Sequence, residues 1–249
     1  MNKWYLLSII PFCLAFVLPG QGELRLFLAG DSTMSIKSTK SYPETGWGMP
    51  FVFFWNEQVE VVNRAQNGRS TKTFINEGLW KGITDELRPG DIVFIQFGHN
   101  DEVPTKRSYT PPDSFAMNLE RFVNDTREKK GRPVLLTPVA RRKFDDNGKP
   151  VDTHREYSFI IQQVANKLDV PCIDVNQRSM DLYTSMGVEG SKCLFLHLLP
   201  GDHPNYPNGK TDDTHFSELG ARLIAQIVLH EIRSKVPALK EYIINSENK

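Results

Sequence analysis

The chain has 249 residues, a length that one α/β domain of ordinary size fills. Hydrophobic residues make up 39% and charged residues 24%, as in a soluble globular protein. The 30 basic residues match the 30 acidic ones, so no bulk electrostatic pull toward nucleic acid exists.

The chain starts with the basic stretch Met1-Asn2-Lys3, followed by an almost wholly apolar run from Trp4 to Leu18. Pro19-Gly20-Gln21-Gly22 then puts small residues at the two positions a signal peptidase reads. The run is short for a transmembrane helix, and an uncleaved anchor is the alternative. Residues 1–22 are therefore expected to be a signal peptide and residues 23–249 a single domain. The mature protein would be secreted or periplasmic, without stable membrane insertion. Cys13 lies in the leader, leaving Cys172 and Cys193. An oxidising compartment would let these two pair, and two separate thiols are the other possibility.

Five short β-rich runs follow: Leu24–Ala29, Val59–Asn63, Ile92–Phe97, Val134–Thr137 and Val170–Asp174. Runs apolar throughout suit strands buried on both faces of a parallel sheet. Helical periodicity occupies Ser114–Lys130, Thr153–Leu168 and Ser217–Lys235, the last with Ser217 as its N-cap. Alternating strands and helices predict a three-layer α/β/α sandwich around a five-stranded parallel sheet, flavodoxin-like in type. Two long segments, Pro138–Asp152 and His197–Asp213, read as loops.

Ligands in such sheets bind beyond the carboxyl ends of the strands. The first strand runs into Gly30-Asp31-Ser32-Thr33, the second into Asn63–Ser70, and the third into Gly98-His99-Asn100-Asp101. One rim thus collects a hydroxyl, a glycine N–H and a carboxamide donor, which is what acyl transfer needs for attack and for holding an oxyanion. A base and its orienting carboxylate come from Asp212 and His215, three residues apart before the last helix. The chain has no Gly-x-Ser-x-Gly elbow, so it does not read as an ordinary α/β-hydrolase. It has no CxxC pair and no HExxH helix, so neither a metal nor another cofactor is expected.

These blocks resemble the SGNH, or GDSL-type, hydrolase superfamily. Gly30-Asp31-Ser32, Gly68, Gly98-His99-Asn100-Asp101 and Asp212-Asp213-Thr214-His215 match its four blocks in order. Thr33, Asn67-Gly68-Arg69-Ser70 and Phe97–Asp101 make the rhamnogalacturonan acetylesterase group the most similar. The resemblance implies Ser32 as nucleophile, His215 as general base, and Asp212, not its neighbour Asp213, as the orienting carboxylate. It implies an oxyanion hole made of the Ser32 and Gly68 N–H groups and the Asn100 amide. The implied substrate is an acetylated polysaccharide or oligosaccharide of pectic type. An esterase or lipase for other acyl, aryl or lipid esters is the main alternative, and a non-catalytic carbohydrate-binding protein the third.

Candidate substrate contacts are His99 beside the oxyanion donor, His203 in the long loop, Trp47 as a stacking platform, and Arg141 and Arg142 as partners for uronic-acid carboxylates. Asp31 and Asp101 read as structural acceptors at turns and helix starts. Oligomeric state is left open.

Overall fold

The computed structural model describes residues 24–244; the expected leader, with Cys13, lies outside the described residues. In chain order the elements are β1 (Leu24–Gly30), the single turn α1 (Gly48–Phe51), β2 (Val59–Asn63), α2 (Thr71–Asn76), α3 (Leu79–Glu86) and β3 (Ile92–Gln96). Then come α4 (Pro112–Glu128), β4 (Arg132–Leu136), α5 (Arg155–Leu168), β5 (Cys172–Ile173), α6 (Val175–Gly190), β6 (Phe195–Leu198), β7 (Lys210–Phe216) and α7 (Glu218–Lys235).

Strands β1 to β5 form one parallel sheet in the order β2-β1-β3-β4-β5. Alternating residues explain why its strands are apolar throughout. Leu26, Leu28, Ile92, Phe94, Val134 and Leu136 bury one face against α1, α6 and α7. Phe27, Ala29, Val93, Ile95 and Leu135 bury the other against α2 to α5. Each of these Val, Leu, Ile and Phe side chains contributes about 1.5–3 kcal/mol when fully removed from water. The result is the expected three-layer α/β/α sandwich on a five-stranded parallel sheet.

Several expectations change in detail. The fourth strand starts at Arg132, two residues before the expected Val134. The fifth shrinks to Cys172–Ile173, because Asp174 turns away to cap α6, its side chain accepting the Gln177 N–H at 3.1 Å. Helix α6 itself, interrupted at Gly187, was not evident from periodicity. The segment His197–Asp213 is not one loop. Its ends belong to an antiparallel hairpin of β6 and β7, and only residues 199–209 are irregular. Cys172 and Cys193 are free thiols, Cys172 half-buried and Cys193 exposed. No described helix is long and apolar enough to cross a membrane.

Sheet order reverses between β1 and β3, and the register pairs Gly30 with Gln96. The segments leaving these two strands therefore diverge at the same height, opening the crevice where doubly wound sheets bind ligands.

Candidate active site

Ser32 sits in the turn that ends β1. Asp31 directs its carboxylate inward, with Oδ1 accepting the Thr33 N–H and hydroxyl, both at 2.9 Å. Burial raises the pKa of Asp31 above the usual carboxylate value, and the Thr33 bonds oppose that rise. Gly30 has no room for a side chain: a Cβ there would lie 2.8 Å from the Gln96 carbonyl oxygen. This close approach lets β1 pass directly into the serine turn.

His215 Nε2 lies 3.0 Å from Ser32 Oγ, and His215 Nδ1 lies 2.9 Å from Asp212 Oδ2. The other Asp212 oxygen, Oδ1, accepts the backbone N–H groups of Thr214 (2.8 Å) and His215 (3.0 Å). Burial alone would raise the Asp212 pKa. The His215 ring and the two backbone donors outweigh it and hold the carboxyl far below the ordinary range. Asp212 is thus a fixed anion, able to orient His215 and stabilise its charged form.

Local structure explains how residues three apart meet on a strand. The ladder pairs Phe195 with Phe216 but Leu196 with Asp212, so Asp213, Thr214 and His215 bulge out of β7. The bulge turns the His215 ring toward Ser32 while keeping Asp212 beside it. Strand β7, not a simple turn, therefore carries the pair.

The other two expected donors, Gly68 and Asn100, come from two other segments of the rim. Gly68 has φ +74°, a left-handed conformation that suits glycine, and the space where a Cβ would project is open. Neither Ser32 nor Gly68 donates its N–H to a backbone acceptor among the described residues. Asn100 is buried, and its Nδ2 donates one hydrogen to the Arg69 carbonyl at 3.1 Å. That bond sets the amide plane and leaves the second N–H for another acceptor. The loops are tied together by Gln66 N–H to the Gly30 carbonyl, at 2.9 Å.

The outer candidates fare differently. Trp47 is fully buried, its Nε1 donating to Gln96 Oε1 at 2.9 Å and its ring packed on Phe51, so it offers no face to a sugar. Arg142 is also buried. It donates to Asp213 Oδ1 (2.8 Å), to Ser191 Oγ (3.0 Å) and to the Val188 carbonyl, so all three of its nitrogens are engaged inside the fold and the buried group offers no open face to a uronate. Arg141 is committed to Thr214 Oγ1 (2.7 Å), the His99 carbonyl (3.2 Å) and Glu102. Both arginines brace the bulge that carries His215.

His99 is only 2% exposed and packs on His154 at 4.3 Å between ring centroids, so it is enclosed within the fold and offers no contact to a substrate. Burial and the nearby cationic side chains push its pKa well below the ordinary histidine value, which keeps it neutral. His203 is half-buried between Tyr42 and Tyr206, and its Nδ1 accepts the Asn205 N–H. Among the described residues, no group of three or more His, Cys, Asp or Glu is placed to hold a metal ion.

Lys37 was not suggested by the sequence. Its buried ammonium lies 2.7 Å from Glu44 and donates at 2.7 Å to Asn67 Oδ1, which also accepts from Ser35 Oγ at 2.6 Å. This clamp fixes the residue before Gly68. Its partners are far apart in sequence, so no local pattern reveals it.

An open parallel sheet with a Ser–His–Asp relay on its carboxyl rim defines an α/β/α hydrolase. The chain belongs to the GDSL-like lipase/acylhydrolase family, whose sequence profile matches residues 28–223, and it is an ester hydrolase. It is 41% identical over 226 residues to the rhamnogalacturonan acetylesterase RhgT of Bacillus subtilis (strain 168), covering 91% of this chain and 97% of that one. It is 40% identical to a rhamnogalacturonan acetylesterase of Emericella nidulans, covering 93% and 94%. Among solved structures it resembles protein YXIM of Bacillus subtilis with a TM-score of 0.75 and 24% identity, spanning 87% of this chain and 58% of that longer one. It also resembles the acetylxylan esterase Axe2 of Geobacillus stearothermophilus, with a TM-score of 0.63 and 17% identity over 85% of this chain and 94% of the other. At these identities the structural likenesses speak for the fold.

Proposed function

We propose that this protein is a secreted O-acetylesterase that removes acetyl groups from a pectic, rhamnogalacturonan-like glycan through a Ser32–His215–Asp212 acyl-enzyme mechanism. The observation that carries the mechanism is the continuous relay from Ser32 Oγ to His215 at 3.0 Å and on to Asp212 at 2.9 Å. The substrate rests on the 41% and 40% identities to relatives named rhamnogalacturonan acetylesterase. Secretion rests on the basic, apolar and small-residue succession of Met1–Gly22.

In the first half-reaction Ser32 Oγ attacks the acetyl carbonyl carbon while His215 Nε2 takes the hydroxyl proton. The tetrahedral oxyanion is held by the Ser32 and Gly68 N–H groups and the free N–H of Asn100. Collapse breaks the ester bond, and His215 returns the proton to the departing sugar oxygen. Water, deprotonated by His215, then attacks the acetyl-serine. Acetate leaves and Ser32 regains its proton. Asp212, ionised throughout, stabilises the imidazolium in both halves.

Ser32→Ala is the direct test, with acetate release from acetylated rhamnogalacturonan as the readout. Activity should fall by at least about 10⁴-fold, as when other serine hydrolases lose their nucleophile. Wild-type rates in the variant would remove Ser32 from the mechanism. No acetate from the wild-type enzyme on pectic glycan, with turnover of other acetyl esters, would reject the substrate assignment.

A further inference from the structure

Next to Gly68 the surface opens into a cleft of about 620 Å³, with Arg69, Lys72, Glu77, Arg107 and Ser108 among its walls. It is tied to two of the proposed oxyanion-hole residues, Gly68 and Asn100. Gly68 lines it, Asn100 Nδ2 donates to the Arg69 carbonyl at 3.1 Å, and Ser108 Oγ donates to the Asn100 carbonyl at 3.1 Å. The residues that line it carry no large apolar side chain, which disfavours a lipid acyl group.

The charges on these walls do not cancel. Among the described residues Glu77 is the only lining carboxylate, set against three cationic side chains, and Arg69 takes it, with both Nε and NH2 at 2.8 Å. Lys72, half-buried, and Arg107, exposed, have no carboxylate partner among the described residues. Two uncompensated cations on a concave wall create a positive potential that concentrates anionic ligands. An arginine fork beside an ammonium suits a planar carboxylate held within a polar chain.

We propose that this cleft is a carboxylate-binding subsite, in which Lys72 and Arg107 hold a uronic-acid residue of the glycan whose acetyl ester lies at Ser32. The subsite rests on reading the Ser32 site as a glycan acetylesterase. It takes over the role that Arg141 and Arg142 cannot play, because their guanidinium groups are already committed within the fold. The anionic sugar would bind on the oxyanion-hole side of the nucleophile, and a neutral acetylated glycan would gain nothing there.

The test compares wild type with the double variant Lys72→Gln/Arg107→Gln on two substrates. One is an acetylated galacturonate-containing oligosaccharide, the other a neutral acetylated xylo-oligosaccharide. The ratio of kcat/KM for the charged over the neutral substrate should drop about tenfold, mainly through KM, as expected for losing two partly screened ion pairs. The wild-type preference should weaken with added salt. Lys72→Arg, which keeps the charge, should retain the preference. An equal loss on both substrates, or an unchanged ratio, would overturn the subsite.

A second measurement separates the subsite from the functional reading. Non-acetylated oligogalacturonate should competitively inhibit hydrolysis of an aryl acetate more strongly than a neutral oligosaccharide of equal length, and the double variant should lose that difference. If this holds while pectic acetyl groups are not released, the subsite stands and the pectic assignment fails. If pectic acetyl groups are released but inhibition does not depend on Lys72 and Arg107, the subsite is refuted.

Discussion

Asp212 and Asp213 are chemically identical neighbours with opposite surroundings. Asp212 gives one oxygen to His215 and the other to two backbone N–H groups. Asp213 faces away, bonded to Arg142 at 2.8 Å and to His197 at 2.7 Å. Replacing each by asparagine should separate their roles. Asp212→Asn should lower kcat by about 10²-fold or more, since the amide favours the wrong imidazole tautomer. Asp213→Asn weakens a brace and should cost activity far less. Equal, small losses in kcat for acetate release would show that neither orients His215. Both aspartates are visible in the sequence, and the motif spacing picks the first. The job of the second was not legible, because its partners lie 71 and 16 residues away.

At the scale of elements, the short helix α2 starts from a contact made by the third rim segment. Asp101 Oδ1 accepts the Thr71 N–H at 2.8 Å and the Thr71 hydroxyl at 2.6 Å. Burial raises its pKa to about 7, against the smaller lowering effect of the Thr71 bonds. A carboxyl whose folded pKa exceeds its unfolded one binds its proton more tightly in the native state. Its contribution to stability is complete below about pH 4 and is lost as pH rises through about 7. Asp101→Asn keeps an acceptor for Thr71 and removes the titration. Urea unfolding across pH 4 to 8 should therefore show a shallower decline for the variant. Parallel curves would place the proton elsewhere. The rim strands β1 to β3 were readable from their apolar runs. The hairpin of β6 and β7 was not, since β7 is Lys-Thr-Asp-Asp-Thr-His-Phe, a polar stretch that pairs only because Phe195 and Phe216 anchor it to the core.

Across the whole molecule, the two faces of the sheet carry separate apolar clusters, and both converge on the strands that hold the active rim. Phe94, at the centre of β3, is fully buried and packs edge-on to Phe51 at 6.1 Å. Phe94→Ala should cost about 3–5 kcal/mol, seen as a lower urea midpoint at unchanged slope. A loss below about 1 kcal/mol would mean that the centre of the sheet repacks freely, contrary to a close-packed interior.

Sequence alone determined the layer architecture, the parallel sheet, and the serine, glycine, asparagine and aspartate–histidine blocks of the site, because apolar periodicity and short motifs are local properties of a chain. Only the tertiary structure decided the fate of the long side chains around that site. Trp47, Arg141 and Arg142 look available in one dimension and are consumed in three, by Gln96, Thr214 and Asp213. Lys72 and Arg107 are ordinary charges in the sequence, and they become a paired feature only where folding closes one cleft around both. A side chain's reach is spent on whichever partner the fold brings near, and that partner is set by contacts tens of residues away.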